Sequence, residues 1–181
     1  MGCTATLQTN PRRLSQLGLA VLGSADSSGA AMSNTEGVSV SGHCYCGAIQ
    51  YAVAIGAGQA PIFTAYCHCG SCRRAHAAPL YHVVCVDDSM FSLISGEEHL
   101  VMFTKPGGTI TRGFCDACGT RMLNRFGAWR PKGRVPVAFF PNTLDEAVQQ
   151  DLPDLLRPRR MNRADECVLD LAFLRPLFAH G

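Results

Sequence analysis

The sequence predicts a mainly β domain with small helical pieces, built around metal-binding cysteine turns. Three observations support this. From Val38 onward, β-branched, aromatic and other apolar residues come in short runs separated by Gly- and Pro-containing turns rather than in helical periods. Seven of the ten cysteines fall into three tight clusters, Cys44-x-Cys46, Cys67-x-Cys69-x-x-Cys72 and Cys115-x-x-Cys118. An apolar fraction of 47% in 181 residues is ample for a buried core, whereas 17% charged residues and a net charge of +2 are too weak a basic excess for a dedicated nucleic-acid surface.

Residues 1–36 read as a flexible leader, rich in Ser, Ala, Thr and Gly, with one apolar patch from Leu14 to Leu22 suited to a short helix. Met1-Gly2-Cys3-Thr4-Ala5-Thr6 fits the loose N-myristoylation pattern, with Cys3 as a second acylation site. The acid-poor composition also suits a mitochondrial presequence, and Met32 offers an alternative start. A disordered extension is the plainest of these readings.

The predicted elements then run in order. Val38 to Val53 is strand-like around the first cluster, and Ile62 to Cys67 forms a second short strand. Cys69 to Ala78 favours a short helical turn ended by Pro79. Leu80 to Val86 is a nearly continuous apolar run suited to a buried strand. Phe91 to Ile94 and His99 to Thr104 look like a pair joined by the turn Ser95-Gly96-Glu97. Lys105-Pro106-Gly107-Gly108 marks a turn before the strand Thr109 to Cys115, and Met122 to Phe126 and Val135 to Phe140 supply two more. Leu144 to Leu152 reads as a helix stopped by Pro153, and Arg157-Pro158-Arg159-Arg160 as a solvated basic turn. The domain organisation expected is a leader over 1–36, a zinc-binding domain over 37–142 and a C-terminal extension over 143–181 packing on it.

Cysteines at these spacings present soft ligands to zinc. Strand alternation would place Cys44 and Cys46 on one face, and likewise Cys67 and Cys69. Cys115-x-x-Cys118-Gly119 has the form of a zinc knuckle. Cys44, Cys46, Cys115 and Cys118 pair most naturally around one structural zinc, because four thiolates leave no room for substrate. Cys67, Cys69 and Cys72 make a trio whose zinc keeps an open position for an external thiolate or water. Cys85 could complete that trio, but within Val83-Val84-Cys85-Val86 it reads as a buried core thiol. His76, four residues after Cys72, is the best histidine for a fourth ligand or an acid–base group. Arg73 beside the open site, with His76 next to it, is a candidate for binding and orienting an anionic substrate.

The blocks Gly42-His43-Cys44-Tyr45-Cys46-Gly47, Tyr66-Cys67-His68-Cys69-Gly70-Ser71-Cys72-Arg73-Arg74, Ser95-Gly96-Glu97 and Arg112-Gly113-Phe114-Cys115-Asp116-Ala117-Cys118-Gly119-Thr120 resemble the glutathione-dependent formaldehyde-activating enzyme and centromere protein V family over about residues 37 to 142. The resemblance implies a fold similar to the Mss4-like β-tent. It also implies two zincs, one structural on the quartet and one catalytic and more labile on Cys67, Cys69 and Cys72. The implied activity is that of a carbon–sulfur lyase condensing formaldehyde with glutathione. Where the family has a small residue followed by Gly, this chain has His76-Ala77, a bulkier lip beside the open site that puts formaldehyde itself in question. The strongly basic extension of centromere protein V is absent.

The expected partner is thus a small glutathione-derived or other thiol adduct, with no nucleic acid and no transmembrane segment, and the oligomeric state is left open. The cysteine clusters and the lack of a secretory h-region favour a reduced, cytoplasmic setting. Two other functions fit the same cysteines: a non-catalytic zinc-stabilised binding module, and a redox sensor using Cys69 and Cys72.

Overall fold

The computed structural model describes residues 36–169, all within one unit of the chain. The acylation pattern, the apolar patch of the leader and Met32 lie outside the described residues. Among those residues the chain forms ten strands and two short α-helices, which makes the domain mainly β. They comprise β1 (Val38–His43), β2 (Gln50–Ile55), β3 (Phe63–Cys67), α1 (Gly70–His76), β4 (Tyr81–Asp87), β5 (Phe91–Ser95) and β6 (Leu100–Thr104). There follow β7 (Ile110–Cys115), β8 (Arg121–Phe126), β9 (Pro136–Phe139), α2 (Glu146–Gln150) and β10 (Met161–Asn162). Two sheets result, of order β1-β2-β5 and β10-β3-β4-β9-β8-β7-β6, consistent with a β-tent.

The continuous apolar run of β4 has a direct cause: the strand is buried on both faces. Val84 and Val86 join a core with Val40, Tyr51, Val53 and Ile55 of the small sheet, Ile49 of the turn before β2, and Met122, Leu123, Val137 and Phe139 of the large sheet. Val83 and Cys85 face the other way, into a second core with Ala65, Ala138 and Phe140. Cys44 and Cys115 belong to the first core and Cys67 and Cys72 to the second, so each cysteine group is rooted in its own apolar cluster.

One predicted pairing is wrong. β5 and β6 are not partners: β5 pairs with β2 in the small sheet and β6 with β7 in the large one. Gly96 makes the separation, with φ +80° and its Cα so close to the Ala48 carbonyl that a Cβ would lie 2.1 Å from the oxygen. Only glycine combines that conformation with that approach. A 3₁₀ turn, Glu97–His99, then carries the chain across to the second sheet.

The helices also end differently from expectation. α1 stops before Pro79, where Ala77 adopts a left-handed conformation (φ 49°, ψ 38°) and donates its N–H to the Arg73 carbonyl. α2 is shorter than predicted and ends ahead of Pro153. The basic turn near the C-terminus is not simply solvated. Its backbone runs along the outer edge of β3, with Arg159 N–H donating to Thr64 O and Tyr66 N–H to Arg160 O, while the Arg160 guanidinium sits 4.6 Å from the Phe63 ring centre. β10 continues that edge as a parallel strand beside Tyr66 and Cys67. No helix among the described residues is long and apolar enough to cross a membrane.

Candidate metal centres

Cys44 follows β1 directly, and Cys46 lies in the turn to β2 rather than in a strand. The alternation argument for this pair is therefore replaced by turn geometry. Gly47 N–H donates to Cys44 O at 2.9 Å, Cys44 N–H to Ile49 O at 3.0 Å, and Ile49 N–H to the Cys44 sulfur at 3.2 Å. Across from it, Cys115 ends β7 and Cys118 occupies the turn to β8, closed by Gly119 N–H on Cys115 O at 2.8 Å. Gly119 has φ +74°, the left-handed conformation that this knuckle requires. Tyr45 N–H donates to Thr120 Oγ1 at 3.0 Å and ties the two turns together.

The four sulfurs of Cys44, Cys46, Cys115 and Cys118 lie within 4.8 Å of one another. Two of the separations are 3.5 Å and 3.8 Å. A tetrahedral shell with zinc–sulfur bonds of about 2.3 Å requires sulfurs about 3.8 Å apart, so the quartet fits such an ion. Desolvation opposes ionisation of Cys118, but the Thr120 hydroxyl and amide and the Cys46 contacts outweigh it and bring its pKa down to about 6.

Cys67, Cys69 and Cys72 form the second group, again with all sulfurs within 4.8 Å. Cys67 is the last residue of β3, Cys69 is the N-cap of α1, and Cys72 lies on the buried face of that helix. The strand argument fails for this pair too, since Cys69 lies beyond β3. The cap itself builds the site: Cys72 N–H donates to the Cys69 sulfur at 3.3 Å, which places N-cap and N3 sulfurs side by side. The contact with Cys67 and then burial push the Cys72 thiol up, while the same contact lowers Cys67. Tyr81 O–H donates to the Cys72 sulfur at 3.3 Å. This is a neighbour that sequence spacing did not reveal, although the β3–β4 register sets Tyr81 directly opposite Cys67.

His76 is not part of either sulfur group. Its ring stacks on Tyr81 at 3.9 Å and meets Phe140 edge-on at 4.7 Å, and its Nε2 is buried without a partner. Burial, followed by the Arg121 and Arg112 charges, holds its pKa down at about 4, so the ring is neutral at pH 7. Cys85 is fully buried in β4, pushed up to about 12 by burial, and belongs to the core.

Arg73 donates through Nε to the His68 carbonyl at 2.9 Å and lines a cavity of about 1020 Å³ beside α1. Arg112 and Arg121, distant in sequence from the trio, line the same cavity. On the other side of Cys69, the Gly70 N–H is capped by Glu166 Oε2 at 2.5 Å, and His68 N–H donates to Asn162 O at 2.9 Å. The C-terminal segment thus braces the loop that carries the trio.

A family model described as glutathione-dependent formaldehyde-activating enzyme matches residues 39–155 of the chain. No curated protein matches it significantly. Among solved structures, a crystal structure of a Rhodobacter sphaeroides protein is similar at 20% identity and a TM-score of 0.48, covering 67% of this chain and 99% of that one.

Proposed function

The chain belongs to the glutathione-dependent formaldehyde-activating enzyme family, and on that premise we propose that it is a zinc-dependent carbon–sulfur lyase acting on adducts of glutathione, or another thiol, with an aldehyde or related electrophile. The observation that carries this reading is the unequal division of sulfur. Four sulfurs gather in one group and three in the other, so a four-coordinate zinc would be closed at the first and would keep one position free at the second. The quartet zinc is structural. The trio zinc is catalytic and more labile, and when bound it supplies a cation that holds a thiol as its anion at neutral pH.

The chain's own residues do the rest. Cys67, Cys69 and Cys72 hold the ion at the junction of β3 and α1, and the Tyr81 hydroxyl stabilises the Cys72 thiolate. Phe140 and the neutral His76 ring wall Tyr81 in place, so His76 acts as a support for Tyr81. Arg73, at the cavity beside Cys72, orients an anionic group of the substrate. In the reaction, sulfur bonds to the carbonyl carbon, the carbonyl π bond breaks, and the proton lost from the thiol ends on the new hydroxyl. Cleavage runs the same steps backwards, and no oxidant is needed.

Exchange spectroscopy with glutathione and a panel of aldehydes tests this, comparing the wild type with Cys69→Ser. Catalysed exchange lost in the variant is expected. Rates equal to the uncatalysed background for every pair would instead leave a zinc-stabilised binding module.

A further inference from the structure

Among the described residues the cavity beside α1 is lined by five basic side chains, Arg73, Arg74, Lys105, Arg112 and Arg121, and by no acid, although the Glu166 carboxylate caps Gly70, which also lines it. Arg112 is only 7% exposed. One of its Nη atoms donates to Ser71 Oγ at 3.3 Å, and its Nε is buried with no partner. Arg121 is half-buried, and its Nε is likewise buried and unpartnered. Neither guanidinium has an ion-pair partner among the described residues.

Elsewhere in the domain arginines meet their counter-charges: Arg125 pairs with Asp88, Arg134 with Asp87 and Arg163 with Glu166. Burial and then the neighbouring Arg112 charge push Arg121 towards deprotonation, only partly offset by Cys72 and Tyr81, so the two cations lie close enough to repel. The Arg121 guanidinium also lies 5.7 Å from the Phe114 ring centre. One buried and one half-buried guanidinium that repel each other and have no carboxylate partner are an unfavourable arrangement that an anionic ligand would relieve. Their rigid donor forks match the oxygens of carboxylate and phosphate.

We propose that this cavity is a subsite for a doubly charged anionic group, a phosphate ester or a paired carboxylate, carried by the thiol substrate. Its position suits that role: Cys72 itself faces the buried side of α1, but the lining Arg121 lies close enough to feel the Cys72 charge. The wall of cations suits the end of the substrate that carries the negative charge. The substrate assignment rests on the lyase reading, whereas anion binding itself does not.

Calorimetric titration of the zinc-loaded full chain with inorganic phosphate and with malonate tests the subsite, the stronger binder showing which oxyanion it is built for. The expected result is saturable binding that weakens about tenfold or more in Lys105→Gln and in Arg121→Gln, the cost of one charge-assisted contact. Arg112→Lys should also weaken it, keeping the charge but losing the fork. Arg157→Gln, whose exposed side chain pairs with Asp154, should bind as the wild type does. Lys105 is exposed, so its variant folds whatever becomes of the buried arginines. Absence of millimolar binding for both anions, or wild-type binding in both Lys105→Gln and Arg121→Gln, overturns the proposal. Anion binding without catalysed thiol exchange retains the subsite and rejects the lyase; exchange without anion binding does the reverse.

Discussion

Replacing Tyr81 with Phe removes one hydroxyl and leaves the ring where it is, stacked on His76 and edge-on to Phe140. The lost contact is the 3.3 Å donation to the Cys72 sulfur. A hydrogen bond to a charged acceptor is worth about 1.5–3 kcal/mol, and each 1.4 kcal/mol is a factor of ten, so zinc at the trio should bind roughly 10- to 100-fold more weakly. The quartet keeps its own donors, the Ile49 amide and the Thr120 hydroxyl, and should not respond. Competitive titration against a chromophoric chelator resolves the two sites as separate zinc waves. An unchanged weaker wave, or an equal loss at both sites, would refute the role given to Tyr81.

Three further outcomes follow from the backbone and from titration. Ala77→Gly relieves a left-handed cap that a Cβ disfavours by about 1–2 kcal/mol, so thermal denaturation should show a Tm raised by a few degrees. Gly96→Ala meets the opposite case, a φ of +80° and a Cβ 2.1 Å from the Ala48 oxygen; a loss of about 3 kcal/mol or more, and a Tm lower by roughly 10 °C, is expected. His76 has its folded pKa depressed from 6.5 to about 4, so the unfolded chain binds the extra proton first as pH falls. The stability this neutral ring contributes is complete above pH 6.5 and is lost towards pH 4, by up to about 3 kcal/mol. Denaturant titrations across that window should show a shallower pH slope in His76→Phe than in the wild type; equal slopes would contradict the burial of its Nε2.

The strands were legible because most carry their own signal. The apolar run of β4 could be read as doubly buried, and Cys85 within it as a core thiol. The cysteine grouping was also legible, since two clusters of two, Cys44 with Cys46 and Cys115 with Cys118, leave the trio over. What sequence could not show is how neighbours in the chain part company. Ser95-Gly96-Glu97 is as good a hairpin turn as any, and only the close passage of Gly96 over Ala48 explains why β5 and β6 enter different sheets. The helical turn after Cys69 was correctly placed, but its end was attributed to Pro79 when the left-handed Ala77 does the work. Nothing in the spacing of Arg112 and Arg121 distinguishes a buried guanidinium from a solvated one, so their place at the cavity emerges only from the fold. β10 has two residues and no apolar pattern, so its place beside Cys67 emerges only from the fold.

The central claim is that the two sulfur groups hold zinc in unequal ways. Its most direct measurement is zinc content followed through graded chelation, with far-UV circular dichroism and thiol–aldehyde exchange recorded on the same samples. The account predicts two zincs per chain: one leaves first and takes the exchange activity with it while the fold persists, and the second leaves only as the domain unfolds. Loss of both metals in a single step with unfolding would contradict it.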